Sequence, residues 1–206
     1  MPAKHVTELI STASQFARQG WLPASAGNFS LKTSHAYPVQ ITKSGCFKDA
    51  LTEADFLRLN YNADLDPSNP QGLNPSAETP LHLYLSQRFT TISNVLHVHS
   101  PAAVVLSKKE YERHKRTVEF HGFELQKALP GVTSHETTLS VPLFPNSQDM
   151  SFLVGELENT LLDRDCCFLL AGHGLYAWGK NLQETRRIIE AVEELCRYSL
   201  YEDNRL

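Results

Sequence analysis

Apolar residues recur at helical spacing at the start of the chain, through Val6, Leu9, Ile10, Ala13, Phe16 and Ala17, and Gly20 follows as a stop. The stretch "LPASAGNFSLKTS" has no such period and reads as a loop opening a strand, and "YPVQITKSG" alternates as a strand ending in a Ser-Gly turn. "LTEADFLRLN" returns to helical spacing with Thr52 as a cap, and residues 66–76, "DPSNPQGLNPS", form a long loop. A helix is expected from near Ser76 through "ETPLHLYLSQRF", then the strand "NVLHVH", a short helix "PAAVVLS" and a charged span over 108–118. "FHGFELQKAL" is helical in pattern and stops at Pro130-Gly131; "TTLSVPLFP" reads as a strand and "DMSFLVGELENTLLD" as an amphipathic helix. "CCFLLAGHGLYAWG" is a strand pair turning at 172–174, and the last helix opens on the cap pair Asn181 and Glu184. Helices and short strands interleave, which predicts one mixed or antiparallel sheet between helical layers.

Composition narrows the functional classes. A length of 206 residues suits a single domain over 1–206, and 41% hydrophobic with 20% charged residues is the balance of a soluble globular protein. The net charge of -4 argues against a nucleic-acid partner or a membrane surface, both of which favour basic excess. No apolar run approaches the roughly 20 residues that span a bilayer, and polar residues interrupt the N-terminal segment too often for a signal peptide, so a cytoplasmic location is expected. Cys46, Cys166, Cys167 and Cys196 form no CxxC pair and read as core filling.

Candidate chemistry begins with "NVLHVHSP". Residues two apart on a strand point to one face, so His97 and His99 present two imidazoles side by side, roughly 7 Å apart at the backbone. Neutral imidazole is a common zinc ligand, and catalytic zinc takes three protein ligands with one position open. His173 is the candidate third ligand, because Gly172 and Gly174 on either side allow close approach. The remaining histidines (His5, His35, His82, His114, His121 and His135) sit in polar or helical surroundings and look ordinary. Two clusters of small, hydroxyl and amide residues flank predicted strands: "SAGNFS", with Ser25, Gly27 and Asn28, and "TKSG", with Thr42, Ser44 and Gly45. Such turns serve as plain connections or as nests of N–H groups for a phosphate, with Lys43 or another cation adding charge.

The motifs "ASAGNFS", "ITKSG", "PSAET", "LHVHSPAAVVLS", "GFELQKALPG", "VPLFPNSQD" and "LLAGHGLYAWG", in this order, resemble the methylthioribulose-1-phosphate dehydratase branch of the class II aldolase/adducin-like superfamily. The resemblance spans nearly the whole chain. It implies an α/β fold, a three-layer α/β/α sandwich around a mainly antiparallel sheet, assembled as a homotetramer with active sites between neighbouring subunits. It implies one Zn2+ per subunit on His97, His99 and His173. The implied substrate is a sugar phosphate, 5-methylthioribulose 1-phosphate, which loses water to give 5-methylthio-2,3-dioxopentyl phosphate in methionine salvage. Glu124, in "GFELQK", matches the acid/base glutamate of that branch. Ser25, Gly27, Asn28, Thr42, Ser44 and Gly45 would hold the phosphate. Glu78, in "PSAET", matches the catalytic acid of the sugar-phosphate aldolases and reads equally as a first-turn helix glutamate. The alternative is therefore a class II aldolase cleaving a ketose 1-phosphate such as fuculose 1-phosphate. A non-catalytic adducin-like head ranks lower, since all three histidines are present.

Overall fold

A computed structural model describes residues 2–203 of the chain. Its elements run α1 (Pro2–Arg18), β1 (Asn28–Lys32), β2 (Val39–Thr42), β3 (Phe56–Leu59), α2 (Thr79–Arg88), β4 (Asn94–Val98), α3 (Pro101–Glu112), β5 (Thr117–Phe120), β6 (Leu139–Phe144), α4 (Met150–Thr160), β7 (Cys167–Leu170), β8 (Gly174–Gly179) and α5 (Leu182–Asp203). The eight strands form one sheet in the order β3-β2-β1-β4-β8-β7-β6-β5. The sheet is mixed, which corrects the expectation of a mainly antiparallel one. β6 and β7 run parallel while the other neighbours run antiparallel. The connection between β6 and β7 is helix α4, and a crossover returns the chain in the same direction, where a hairpin would reverse it.

Side chains alternate across the strands and divide the core in two. Leu96 and Val98 of β4 and Leu175 and Ala177 of β8 face helices α1, α3 and α5. Val95 of β4 and Tyr176 and Trp178 of β8 face helices α2 and α4. Helices on both faces make the three-layer arrangement that the strand-and-helix pattern implied. A third, smaller cluster of Ile41, Leu57 and Leu59 lies under Leu73, so the expected long loop covers the β2–β3 end of the sheet. Cys167 and Cys196 fill the first core as free thiols.

Two helical expectations are corrected. "LTEADFLRLN" contains only a short 3-10 turn, Glu53–Asp55, and then strand β3, which pairs along β2 from Thr42↔Phe56 to Val39↔Leu59. Its apolar residues satisfy a period of two as well as 3.6, and burying Phe56, Leu57 and Leu59 against neighbours decides the matter. "FHGFELQKAL" forms only the 3-10 turn Glu124–Ala128. Gln126 lends its side-chain oxygen to the Phe123 N–H and its amide to the Thr137 carbonyl, which ties the turn to the next loop instead of extending it. The charged span over 108–118 resolves into the last turn of α3 and the start of edge strand β5.

Helix α3 starts directly after His99, and its N-terminus is capped from another element. Ser100, in the N-cap position, makes no side-chain cap bond. The Ala102 and Ala103 N–H groups instead donate to Glu193 of α5, at 3.0 and 2.9 Å. Glu193 is 2% exposed, so its removal would orphan two N–H groups with no water at hand. Glu193→Ala should cost roughly 2–4 kcal/mol and lower the melting temperature by roughly 5–10 °C. Thermal unfolding followed by circular dichroism measures this, with the more exposed Glu190→Ala as the control; equal melting of the two variants would contradict the capping role.

Candidate metal centre

Strand β4 delivers His97, and the chain just beyond it delivers His99, with Val98 between them turned into the opposite core. The His99 N–H donates to the Trp21 carbonyl at 2.9 Å, which extends the chain's straight course past the strand end. His173 comes from the tight turn between β7 and β8, its N–H donating to the Leu170 carbonyl at 3.1 Å. β8 then pairs with β4, Val98↔Leu175 and His97↔Tyr176, and brings the turn over the two strand histidines. This approach leaves no room at Gly174, where a Cβ would sit 2.2 Å from the Val98 carbonyl oxygen and 3.1 Å from the His97 ring. The GHG element is thus a close-approach requirement at its second glycine.

The three rings converge. His97 Nε2 lies 3.0 Å from His99 Nε2 and 3.3 Å from His173 Nε2, and one ligand atom from each falls within 4.8 Å of the others. His97 Nδ1 faces the Leu175 carbonyl at 3.1 Å; a carbonyl only accepts, so Nδ1 carries the proton and Nε2 keeps a bare lone pair. Burial, then the neighbouring His99 and His173, hold the His97 pKa well below its usual value, so a proton does not fill the gap between the rings. His99 is lowered to about 4, chiefly by burial and then by His173. Tetrahedral zinc with Zn–N near 2.05 Å would separate its nitrogens by about 3.3 Å. Ring nitrogens held this close fit a cation, and the donor set of three imidazoles fits a divalent transition metal.

Glu78, at the N-cap of α2, completes the cluster. Its carboxylate oxygens lie 3.5 Å from His97 Nε2 and 3.3 Å from His173 Nε2, and its side chain is 13% exposed. Behind it runs a buried polar chain. Asn28 Nδ2 donates to Glu78 at 2.5 Å, His82 Nε2 contacts Asn28 Oδ1 at 2.5 Å, and Ser30 Oγ contacts His82 Nδ1 at 2.7 Å. Tyr176 stacks on His97 with centroids 4.0 Å apart. Burial, and then the nearby Glu78 charge, push the Tyr176 pKa well above its usual value.

The two candidate phosphate loops lie at the same end of the sheet. Asn28 pairs with His97 across β1 and β4, and Gly27 packs so tightly that a Cβ would meet the His97 carbonyl oxygen at 2.6 Å. The Thr42 hydroxyl accepts the Phe29 N–H at 3.2 Å, tying the second loop to the first. Lys43, the cation proposed from sequence, is instead paired with Asp55 at 2.7 Å. The cation that joins the loops is Lys48, whose ammonium donates to the carbonyls of Ser25 and Cys46 at 2.8 and 2.7 Å while burial lowers its pKa.

Glu124 stands apart from this cluster. Its carboxylate is 68% exposed and pairs with Lys127 and, at 3.2 Å, with His135. Lys127, ahead of the other causes, lowers its pKa. His82 and Lys48 are the residues that sequence reading passed over. His82 carried a usable signal, for it follows Glu78 by four residues at the start of a helix and so shares its face. Lys48 carried none, because nothing local distinguishes it from Lys43.

The family description "Class II Aldolase and Adducin N-terminal domain" matches residues 7–200, and the chain belongs to that family. The crystal structure of L-fuculose-1-phosphate aldolase from Thermus thermophilus superposes with a TM-score of 0.75 at 26% identity, covering 98% of this chain and 97% of the other. Within the family, the chain is 40% identical to a methylthioribulose-1-phosphate dehydratase of Xanthomonas campestris over 93% of its own length and 86% of the relative's. It is 38% identical to the dehydratase of Citrobacter koseri over 98% and 97% of the two lengths.

The buried His82 gives a pH signature. Burial lowers its pKa to about 4, against the opposing influence of Glu78, while an unfolded histidine titrates near 6.5. Between these values the unfolded chain binds more protons, so stability rises with pH and is lost as pH falls from about 6.5 toward 4. Urea unfolding of metal-free protein across this window should show a loss of about 3 kcal/mol from this group. In His82→Gln the slope should become shallower by this share while His97 and His99 keep theirs; an unchanged slope would show that His82 carries none of it.

Proposed function

We propose that the protein is a hydro-lyase that removes water from 5-methylthioribulose 1-phosphate to give 5-methylthio-2,3-dioxopentyl phosphate, a step of methionine salvage. The observation that carries this reading is the convergence of His97, His99 and His173 beside Glu78, in a chain 38–40% identical to dehydratases over nearly its full length. The whole span 1–206 acts as one class II aldolase-like domain, in the cytoplasm, and His97, His99 and His173 hold one Zn2+ per subunit. When bound, the cation supplies a Lewis acid that draws electrons from the substrate carbonyl and makes the C3 proton easier to remove.

The chain's own groups then divide the work. The substrate carries a ketone at C2, hydroxyls at C3 and C4, and phosphate on C1. A carboxylate takes the C3 proton, the C4 hydroxyl leaves with a proton as water, and the resulting enol gains a proton at C4 and gives up its C3 hydroxyl proton to become the diketone. Glu124 is assigned the acid/base role. Its carboxylate is exposed and pairs with Lys127 and His135 and not with His97, His99 or His173 of its own chain, so in this reading it reaches the metal centre of a neighbouring subunit in a homotetramer. Glu78 is the second carboxylate, fixed beside the metal ligands. The phosphate is gripped by the turns carrying Ser25, Gly27 and Asn28 and Thr42, Ser44 and Gly45. The side chains of Asn28 and Thr42 already have partners and the Lys43 and Ser44 N–H groups donate to the Asp55 and Asn74 carbonyls, which leaves the other N–H groups of the turns and the Ser25 and Ser44 hydroxyls for the anion. Lys48 adds positive charge behind both turns.

The alternative, aldol cleavage of a ketose 1-phosphate such as fuculose 1-phosphate, draws on Glu78 standing at the histidines where Glu124 does not. Incubating the purified protein with each substrate separates the two. The dehydratase yields a diketone from methylthioribulose 1-phosphate, and release of dihydroxyacetone phosphate from fuculose 1-phosphate would overturn it.

His97→Ala should lose metal and turnover together, measured by elemental analysis beside the assay; full metal content in that variant would refute the ligand assignment. Glu124→Gln should keep its metal and lose about 10²–10⁴-fold in kcat. Refolding the two inactive variants together in equal amounts should restore about a quarter of parental activity, the fraction of sites that pair an intact histidine set with a neighbour's intact Glu124. A mixture that stays inactive would place Glu124 in its own subunit's site or outside the chemistry.

A further inference from the structure

We propose that His82 is a positioning residue: the proton on its Nε2 fixes the direction of the Asn28 amide and so holds the Glu78 carboxylate over the three histidines. The inference rests on the metal-centre part of the function proposed above and not on which sugar phosphate is used.

The argument follows donors and acceptors outward from Glu78. An ionised carboxylate only accepts, so the Asn28 group 2.5 Å from it is the Nδ2 amide. The Asn28 oxygen then faces His82 Nε2 at 2.5 Å, and two acceptors do not bond, so Nε2 carries the proton. Nδ1 is left as an acceptor for the Ser30 hydroxyl at 2.7 Å. Ser30, His82 and Asn28 are respectively 1%, 0% and 5% exposed, so no water is on hand to exchange these roles. Moving the His82 proton to Nδ1 would turn the Asn28 amide over and aim its oxygen at the Glu78 carboxylate. One proton position therefore separates an attractive contact at Glu78 from a repulsive one.

The geometry is built into the two elements. Asn28 and Ser30 are two apart on β1 and share a face, and Glu78 and His82 are four apart at the start of α2. Two strand residues advance about 7 Å and four helical residues about 6 Å, so the pairs stay in step as the helix lies on the sheet. Tyr176 flanks His82 on the remaining side, with ring centroids 5.7 Å apart.

The parent protein offers the first test. Long-range proton–nitrogen NMR of the histidine side chains should show His82 protonated at Nε2 and bare at Nδ1, and the opposite pattern would overturn the proposal. Metal affinity, measured by competition with a chelator, gives the second. His82→Leu should bind Zn2+ about 10–100-fold more weakly, whereas His82→Gln, which can still donate near the Nε2 position, should stay within about 3-fold of the parent. Equal losses in the two variants would mean that His82 only fills space, and no loss in His82→Leu would also refute the role. Should His82→Leu fail to fold, Ser30→Ala replaces it: mixed His82 tautomers and weaker Zn2+ binding are expected, and an unchanged tautomer with unchanged affinity would overturn the idea. None of these readouts uses substrate. A negative dehydratase assay would therefore leave the proposal standing, and its failure would leave that assay's result intact.

Discussion

An imidazole nitrogen of His97 held 3.0 Å from that of His99 and 3.3 Å from that of His173 is an arrangement that such rings do not adopt on their own account. Their lone pairs repel, and the protons that could bridge them are opposed by burial. The fold has to impose the contact, and much of its local detail can be traced to that need. The Leu175 carbonyl occupies the far nitrogen of His97 and leaves the inner one bare. Antiparallel pairing of β4 with β8 sets the distance, and the missing side chain at Gly174 permits it. The Glu193 carboxylate seals the helix that begins directly after His99, without using either histidine to do so.

The centre also lies at the two middle strands of the sheet, β4 and β8. Across β1, β4, β8 and β7 run Asn28, His97, Tyr176 and Phe168, one row of side chains on one face. The three rings of that row stack, 4.0 Å from His97 to Tyr176 and 4.8 Å from Tyr176 to Phe168. An apolar wall on one side and the Asn28–His82–Ser30 chain on the other leave little freedom to the ligands between them. In such a low-dielectric setting each hydrogen bond is stronger than in water and each unmet one is costlier. A polar chain there must be satisfied throughout, and this one is.

Glu78 and Glu124 stand in contrasting environments. Glu78 is enclosed, hydrogen-bonded and in contact with the histidines, which suits a group that holds position. Glu124 sits on a short exposed turn beside Lys127 and His135, free of any core. A turn of this kind costs little to reposition, and in the proposed tetramer it faces a neighbour's site.

The strand "NVLHVH" was legible from sequence because a period of two sends His97 and His99 to one face whatever else the chain does. The amphipathic helices α1 and α5 and the tight turn bearing His173 were legible for the same reason: spacing and glycine placement fix local direction. Partnership was not legible. Phe56, Leu57 and Leu59 fit a helix or a strand until β2 supplies an edge, and Glu124 lies inside a helix by pattern and begins only a 3-10 turn in place. β6 and β7 run parallel because α4 packs as a crossover, Lys48 and not Lys43 joins the loops, and His82 gains its role from residues 52 and 54 positions away. Local sequence sets which way a side chain points; the register between distant strands and helices sets what it meets.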